Sequence, residues 1–240
     1  MPHAPRPGMT SLRWLLLPGL DGSGALFEPF LECLAGIDAV VVRYPDRLRA
    51  DLDAHAHHAA AAIGDAQRCI VVAESFSGPV ALRLQRRDPR VEAVVLVASF
   101  VRCPHPLLRV LPLSLIAAFA RHLVSRPLLR MFCLGEHAPQ ERVDELRNAV
   151  QVLPADVMRT RLALLRSLDE SASLLAVRVP VLHLRATRDR LVSASLRAAA
   201  PRGSFRELDI DGPHFLLQAC PDACRRAIVE WATQFHTPLD

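Results

Sequence analysis

Residues 71–78 read Val-Val-Ala-Glu-Ser-Phe-Ser-Gly and join two different local patterns. Residues 70–73 form an apolar run that predicts a buried strand, and the residues from Gly78 onward have the apolar spacing of a helix. Ser75 therefore lies at a sharp turn from strand to helix, which is the geometry of a nucleophile elbow. A serine at such a turn can equally be an ordinary helix N-cap.

Small residues flank the turn on both sides. A tight elbow needs small side chains two positions before and two positions after the serine, and this chain has Ala73 and Ser77 there. The common motif has glycine at both positions. The small-x-Ser-x-small pattern is met and the strict glycine pattern is not, so this segment alone leaves both interpretations of Ser75 open.

Two further segments carry polar residues at the ends of apolar runs. Asp189 follows the run at residues 181–185, and His214 follows the run at residues 205–210. The order serine, aspartate, histidine along the chain is that of the α/β-hydrolase triad. With these residues on these elements, the sequence resembles the α/β-hydrolase superfamily over nearly its whole length.

The resemblance implies a role for each residue. Ser75 would attack an acyl carbon, His214 would take and return its proton, and Asp189 would orient the imidazole. The backbone N–H of Phe76, the residue after the nucleophile, would stabilise the oxyanion. Singly, Asp189 could instead cap a helix and His214 could be a helix-start residue.

Asp189 has two competitors for the role of the acid. Asp209 and Asp211 lie closer to His214 in the sequence. Asp189 is preferred because it follows the penultimate predicted strand, from which its carboxylate can reach the far ring nitrogen of the histidine.

The first strand leads into a glycine-rich loop, residues 18–24, with the sequence Pro-Gly-Leu-Asp-Gly-Ser-Gly. By family resemblance the backbone N–H of Leu20 is the second oxyanion donor. Relatives often have His-Gly where this chain has Pro18-Gly19, a change that backbone donation survives. A phosphate loop is disfavoured, because no Gly-Lys-Ser/Thr follows and the Gly-x-Gly-x-x-Gly spacing is missing.

Composition bounds the class of protein. A chain of 240 residues that is 51% hydrophobic and 22% charged predicts one domain with a large core and room for an inserted lid. All 29 basic residues are arginine, and the net charge of +4 is small for a nucleic-acid binder. We therefore expect no nucleic-acid partner.

Six dispersed cysteines without a Cys-x-x-Cys motif favour reduced thiols and a cytoplasmic location. The residues before Trp14 lack the apolar stretch of a signal peptide, and no apolar run reaches the roughly 18 residues of a membrane span. We therefore expect no membrane span.

Strand and helix patterns alternate along the chain, which predicts an α/β-hydrolase-type doubly wound, mostly parallel sheet of about six strands. The predicted strands are Leu12–Leu17, Ala39–Arg43, Ile70–Ala73, Ala93–Ala98, Val181–Arg185 and Phe205–Ile210. The predicted helices are Leu26–Ala35, Asp51–Ala66, Gly78–Arg87, Ser193–Ala200 and His214–Phe235.

Residues 101–175 break the alternation with helical periodicity and no convincing strand. Their stripes are Val143, Leu146, Val150 and Leu153, and then Val157, Arg161/Leu162, Leu165 and Leu168. We predict a helical cap at 101–175, inserted into a hydrolase core of residues 1–100 and 176–240.

The cap carries an unusual charge pattern, because no acidic residue occurs between Glu92 and Glu136. Interleaved with leucines are Arg102, Arg109, Arg121, Arg126 and Arg130. An apolar interior would suit an acyl chain, and an arginine exterior, above all Arg121, Arg126 and Arg130, would suit an acidic partner such as an acyl carrier protein. Alternatively, the leucines pack the cap on the core and the arginines only keep it soluble.

Three further groups are given no catalytic role. His55, His57 and His58 cluster on one predicted helix. Two histidines at i and i+3 could chelate a metal, but His-Glu-x-x-His is absent and no third ligand is evident, so a solvated helix face is preferred. Glu74 is expected to face the pocket or pair with an arginine. Tyr44 is expected to line the site or pack in the core. No metal or organic cofactor is expected.

Together these features predict a capped serine hydrolase of carboxylic esters or thioesters, acting on a small or carrier-bound acyl ester. Size and cap resemble the small bacterial esterase group that includes the pimeloyl-carrier-protein methyl ester carboxylesterases. Lyase or perhydrolase chemistry on the same triad, and a non-catalytic ligand-binding relative, remain alternatives.

Overall fold

Six parallel strands form one sheet in the computed structural model, which describes residues 12–48, 51–118, 120, 125–192, 196, 200–201 and 203–234. The strands are β1 Leu12–Leu17, β2 Ala39–Val41, β3 Arg68–Glu74, β4 Val91–Val97, β5 Val181–Ala186 and β6 Phe205–Ile210. Their order is β2-β1-β3-β4-β5-β6, and every neighbouring pair is parallel. The predicted fold class is confirmed.

Side chains on β1 show how the sheet is buried on both faces. Leu15 and Leu17 point into one apolar cluster, whereas Trp14 and Leu16 point into the other, as the period of two in a strand requires. Helices α2 Leu52–Ala61 and α3 Gly78–Arg87 cover the first face, and α1 Glu28–Cys33, α10 Leu216–Ala219 and α11 Pro221–Ala232 cover the second. The doubly wound arrangement therefore follows from strands that are apolar without alternation.

Three helices are shorter than the sequence predicted. The first, α1, spans Glu28–Cys33 and follows a 3₁₀ turn at Ala25–Phe27, where one helix at Leu26–Ala35 was expected. The side chain of Asp51 caps α2 by accepting from the N–H of Asp53 at 3.0 Å, and the helix ends at Ala61 instead of the predicted Ala66. The predicted helix from His214 is two helices, because Pro221 lacks an N–H and is tolerated only in a first turn. The predicted helix at 193–200 lies almost entirely outside the described residues.

The segment between β4 and β5 is helical, as predicted. It contains α4 Leu107–Val110, α5 Leu113–Ala118, α6 Arg126–Leu129 with a π-helical turn Arg130–Leu134, α7 Gln140–Val152, α8 Ala155–Arg166 and α9 Ser171–Leu175. An antiparallel bridge between Arg102 and Asp169 joins its two ends. The N–H of Cys103 donates to the carbonyl of Leu168 at 3.1 Å beside this bridge. The division into core and cap stays a prediction.

The turn at Ser75 has a positive φ of 47°, which is uncommon for a residue with a side chain. The turn leads through a 3₁₀ turn into α3. The hydroxyl of Ser99 donates to the carbonyl of Ser75 at 2.7 Å. A Cβ at Gly78 would lie 1.9 Å from that hydroxyl oxygen, so the close approach of β4 requires glycine there, although its φ of −57° suits any residue. The pattern in the sequence did not single out this third small position.

We predict that Gly78→Ala destabilises the protein by about 1–3 kcal/mol, because the added methyl must displace Ser99 from the elbow. Thermal unfolding measures the loss. Ser99→Gly in the same chain removes the obstructing atoms, so the double variant should be more stable than the sum of the single effects predicts. Additive losses would show that the close approach does not constrain the elbow.

Candidate active site

Ser75, His214 and Asp189 form one chain of hydrogen bonds. His214 Nδ1 lies 2.7 Å from Asp189 Oδ2, and His214 Nε2 lies 3.0 Å from Ser75 Oγ. The side chains of His214 and Asp189 are only 5% and 4% exposed. The other oxygen of Asp189 accepts from the N–H groups of Leu191 and Val192, both at 2.8 Å. Asp189 thus caps a turn with one oxygen and contacts the imidazole with the other.

The competing aspartates have other partners. Asp209 forms an ion pair with Arg185 at 2.6 Å, and Asp211 forms one with Arg188 at 3.2 Å. His214 lies in the loop between β6 and α10, not inside a helix as predicted. The carboxylate at hydrogen-bond distance from His214 is that of Asp189.

Leu20 and Phe76, whose N–H groups were predicted to bind the oxyanion, line the same cavity as Ser75. The buried ring of Phe76 packs edge-on against His55 and Tyr44, with centroids 5.4 and 6.3 Å apart. These ring contacts hold the first turn of the elbow against helix α2 and the end of β2.

Ser77 ties the elbow to the loop that carries Leu20. Its hydroxyl donates to the carbonyl of Pro18 and lies 2.8 Å from the hydroxyl of Tyr44. Because the single proton of Ser77 is committed to Pro18, Tyr44 is the donor in the second bond. Tyr44 is buried in the core and its pKa is raised by that burial. Serine in place of the usual glycine therefore adds a contact between the two loops of the site.

Arg161 of α8 reaches the same loop from the helical segment. Its guanidinium donates to the carbonyls of Leu20 and Asp21 at 2.9 and 2.6 Å. The sequence placed Arg161 only as a member of an apolar stripe. The available signal was an arginine inside that stripe, and nothing local indicated what it binds.

An apolar cavity of about 750 Å³ opens over Ser75. Its polar lining consists of Asp21, Glu74, Ser75, His105, Arg190 and His214. The helical segment supplies most of the apolar wall, including Leu107, Leu108, Leu111, Leu115, Ile116, Leu129, Phe132, Leu146, Leu153, Met158 and Leu165. A cavity of this size is typical for small-molecule ligands.

The outer surface of the helical segment is more apolar than predicted. Leu107, Leu111, Leu115 and Phe132 line the cavity and are also exposed, and Val110 beside them is 74% exposed. These short helices cover the cavity, so their apolar side chains lie at its edge instead of in a closed interior. The exterior of the segment therefore carries apolar side chains beside its arginines.

Two of the three arginines predicted to bind a partner have partners within the chain. Arg126 forms an ion pair with Asp144 at 2.6 Å, and Arg130 donates to the side-chain oxygen of Gln140 at 2.7 Å. Arg121 lies outside the described residues.

The histidines on α2 do not form a solvated face, which corrects the sequence analysis. His55 is buried and packs edge-on against Tyr44 at 4.8 Å, because its face of α2 meets the end of β2. His58 lies 2.8 Å from the carbonyl of Arg43, and only His57 is exposed. Across the described residues, no group of three or more His, Cys, Asp or Glu side chains could hold a metal ion. Over the same residues, no helix combines the length and apolarity needed to span a bilayer.

Glu74 is a buried carboxyl directly before Ser75. It lines the cavity, and its hydrogen-bond partner is Gln218 and not an arginine. The side-chain amide of Gln218 donates to Oε2 at 3.3 Å. No described residue hydrogen-bonds its other oxygen. Burial, and then the negative charge of Asp21, raise the pKa of Glu74 to about 8. The carboxyl is therefore protonated at neutral pH, which keeps a negative charge away from Ser75.

We predict that Glu74→Gln removes a pH dependence of stability. The folded protein keeps the Glu74 proton up to a pKa of about 8, whereas the unfolded chain loses it near 4.5. The folded state thus binds more protons between these values, so the unfolding free energy falls as pH rises through this window. Urea unfolding at pH 5, 7 and 9 should show a gain for Glu74→Gln that grows with pH. The exposed Glu136→Gln should follow the wild type, and parallel curves for Glu74→Gln and wild type would contradict the buried proton.

Solved structures with the same fold come from several bacteria. An enol-lactonase from Burkholderia xenovorans LB400 has a TM-score of 0.75 at 17% identity, with coverage of 95% of this chain and 94% of that one. A thermophilic esterase from Thermogutta terrifontis has a TM-score of 0.74 at 20% identity, with coverage of 95% and 92%. The esterase EaEST from Exiguobacterium antarcticum has a TM-score of 0.77 at 12% identity, with coverage of 93% and 92%. At these identities the similarity establishes the fold alone.

Sequence comparison gives the family. No curated protein matches the chain significantly. The family model described as "Serine aminopeptidase, S33" matches residues 37–205, which is more than half of the chain. The predicted superfamily is confirmed, and the closer resemblance to the pimeloyl-carrier-protein methyl esterases stays a prediction. The chain belongs to the serine aminopeptidase S33 family of α/β hydrolases.

Proposed function

We propose that this hydrolase cleaves carboxylic esters with an apolar acyl group, using Ser75 as the nucleophile, His214 as the base and Asp189 as the acid. The observation that carries the proposal is the hydrogen-bonded chain from Asp189 to Ser75, with distances of 2.7 and 3.0 Å, at the floor of an apolar cavity. A buried chain of this geometry activates a hydroxyl that is otherwise a weak nucleophile.

Acylation begins when His214 Nε2 takes the proton of Ser75 as Oγ bonds to the substrate carbonyl carbon. The carbonyl oxygen gains the negative charge, which the N–H groups of Phe76 and Leu20 stabilise. When the tetrahedral intermediate collapses, the bond to the alcohol breaks and His214 returns the proton to the departing oxygen. Water then repeats the two steps on the acyl-enzyme, releasing the acid and restoring Ser75.

Asp189 fixes the tautomer that this sequence of steps needs. Its Oδ2 accepts from His214 Nδ1, so the lone pair of Nε2 faces Ser75. The N–H groups of Leu191 and Val192 hold the carboxylate in place. The carboxylate of Asp189 also stabilises the imidazolium that forms in each transition state.

The cavity supports an apolar acyl group as the recognised part of the substrate. Its wall is mostly leucine, and its volume of about 750 Å³ fits the range that holds small-molecule ligands. The solved structures with this fold include an enol-lactonase and two esterases, all of which act on ester bonds by their names. A thioester offers the same carbonyl carbon, so it is a second substrate class for the same steps.

Peptide amides are a second candidate, because the family is described as serine aminopeptidases. An aminopeptidase substrate carries an α-ammonium group that needs a negative partner. Asp21 and Glu74 are the carboxyls in the described lining. Asp21 accepts two hydrogen bonds from Ser23, and the raised pKa of Glu74 keeps it protonated. The lining therefore offers an ammonium group one carboxylate, Asp21, which already accepts from Ser23, and this favours the ester.

A carrier-bound acyl ester is the narrower form of the proposal. It would use the arginine-rich helical segment to bind an acidic carrier protein. Arg126 and Arg130 contact Asp144 and Gln140, so a carrier would have to compete with these contacts. The side chain of Arg109 has no ion pair or hydrogen bond among the described residues and is exposed on α4, which makes it available for such a contact.

We predict that Ser75→Ala abolishes hydrolysis of p-nitrophenyl esters, with a loss on the order of 10⁴-fold or more in kcat, because the acyl-enzyme cannot form. Alanine lacks only the hydroxyl, so the unfolding temperature should stay close to that of the wild type. A serine-directed phosphonate should label Ser75, which peptide mass mapping detects. Labelling at Ser77, or unchanged turnover of the variant, would contradict the assignment.

We predict that kcat/KM rises with acyl length across p-nitrophenyl acetate, butyrate, octanoate and decanoate, because each added methylene removes apolar surface from water in the cavity. Alanine p-nitroanilide, the aminopeptidase-type substrate, should be hydrolysed far more slowly. A preference for acetate, or for the anilide, would overturn the acyl-pocket assignment.

The effect of salt on turnover separates free esters from carrier-bound esters as substrates. Charge steering by arginines is screened over a Debye length of about 8–10 Å near physiological ionic strength. Added salt should therefore reduce turnover of an octanoyl-carrier ester more than turnover of p-nitrophenyl octanoate, and Arg109→Glu should raise KM for the carrier form alone. Equal salt sensitivity would remove the carrier from the proposal and leave the small ester.

A further inference from the structure

We propose that Arg161 is a positioning residue that holds the backbone of the oxyanion loop from the helical segment above it. The inference rests on the proposed function, because it concerns the N–H of Leu20 as an oxyanion donor. It assigns a catalytic consequence to a side chain that touches neither Ser75 nor His214 by any described hydrogen bond.

The oxyanion loop, residues 18–22, is fixed at successive carbonyls. Ser77 donates to the carbonyl of Pro18, and the N–H of Gly22 donates to the carbonyl of Gly19 at 3.1 Å. Arg161 Nη1 then donates to the next two carbonyls, Leu20 at 2.9 Å and Asp21 at 2.6 Å. The donor N–H of Leu20 belongs to the same planar peptide unit as the Gly19 carbonyl, so its direction depends on this set of bonds.

The fit around the guanidinium is close. Arg161 is 2% exposed, and a Cβ at Gly22 would lie 2.3 Å from its Nη1. Its Nη2 also donates to the carbonyl of Tyr44 at 3.4 Å, and its charge lies 5.9 Å from the centre of the Tyr44 ring. The loop therefore packs directly on the guanidinium, and no smaller group would reach all of these carbonyls.

The guanidinium of Arg161 is hydrogen-bonded to backbone carbonyls, with the charges of Asp21 and Asp46 nearby. Within the described part of the chain no carboxylate lies at ion-pair distance from it, and burial lowers its pKa. A buried cation without an ion pair is costly, and here three N–H···O hydrogen bonds, to the carbonyls of Leu20, Asp21 and Tyr44, take the place of the ion pair. A side chain kept only to attach the helical segment could be apolar at lower cost. We attribute the presence of this buried cation to its hydrogen bonds, which orient the carbonyls next to the N–H of Leu20.

The same helix contains a matched control. Arg166 donates to the carbonyls of Leu108, at 2.6 Å, and Leu111. Both acceptors lie within the helical segment. Arg166 therefore makes the same kind of hydrogen bonds from α8 without contacting the oxyanion loop. A purely structural role predicts the same phenotype for both arginines.

The test compares Arg161→Met, Arg161→Lys and Arg166→Met in the full chain with p-nitrophenyl octanoate, below the unfolding temperature of each variant. Arg161→Met should lower kcat by roughly 10²–10³-fold, the usual effect of losing one oxyanion donor, with KM within about threefold. An alkyl trifluoromethyl ketone, which forms a tetrahedral oxyanion on the serine, should lose affinity by a similar factor. The kcat of Arg161→Lys should lie between those of Arg161→Met and the wild type, because lysine keeps the charge but forms fewer of the hydrogen bonds.

Arg166→Met should lower the unfolding temperature and leave kcat unchanged. Because its acceptors Leu108 and Leu111 line the cavity, any effect on binding of the alkyl chain should appear equally in KM and in ketone affinity. If Arg161→Met did the same, Arg161 would be a structural contact only and the proposal would be wrong. A rise in KM with unchanged kcat would overturn it as well, because that pattern belongs to the acyl pocket. If Arg161→Met fails to fold, the lysine variant makes the same distinction. Failure of the proposed function is seen separately, as a wild type that does not hydrolyse the ester or loses nothing in Ser75→Ala.

Discussion

The positive φ of Ser75 is the constraint on which the site depends. A side chain held at such a φ costs about 1–3 kcal/mol and persists only where the surroundings determine it. Here β3 fixes the turn on one side and α3 on the other, and Ser99 holds the carbonyl of Ser75. The strain exposes Oγ at the carboxyl edge of the sheet, within reach of a histidine that arrives from the loop after β6.

The helical segment does more than cover the cavity. It supplies most of the leucine wall, and through Arg161 it contacts the loop that carries Leu20. The core contacts the same loop through Ser77 and Pro18. The oxyanion loop is thus held between two layers, so movement of the segment and the geometry of the loop are coupled through short hydrogen bonds. Under the proposed function, the helical segment both forms the acyl pocket and supports the loop that carries an oxyanion donor.

Charge near the nucleophile is controlled by burial. Two carboxyl groups, those of Asp189 and Glu74, lie close to the elbow, and they have different hydrogen-bond partners. Asp189 accepts three hydrogen bonds. Glu74 accepts one from Gln218 and has its pKa raised to about 8, mainly by burial. A neutral Glu74 spares the developing oxyanion a second negative charge, so the residue contributes most by remaining protonated.

The sequence by itself determined the sheet and the helical segment, because strand periodicity and turn residues are local signals. It also selected Ser75, Asp189 and His214 as candidate site residues, because each follows a strand end. Only the tertiary structure decided the partners of Arg161, Ser77 and Glu74, the need for glycine at Gly78 and the burial of His55. Arg161 and Ser77 bind backbone carbonyls, and every residue has a carbonyl, so no side-chain pattern marks the acceptor. The burial of Glu74 and His55 depends on which elements pack over them, and those elements are distant from them in the sequence.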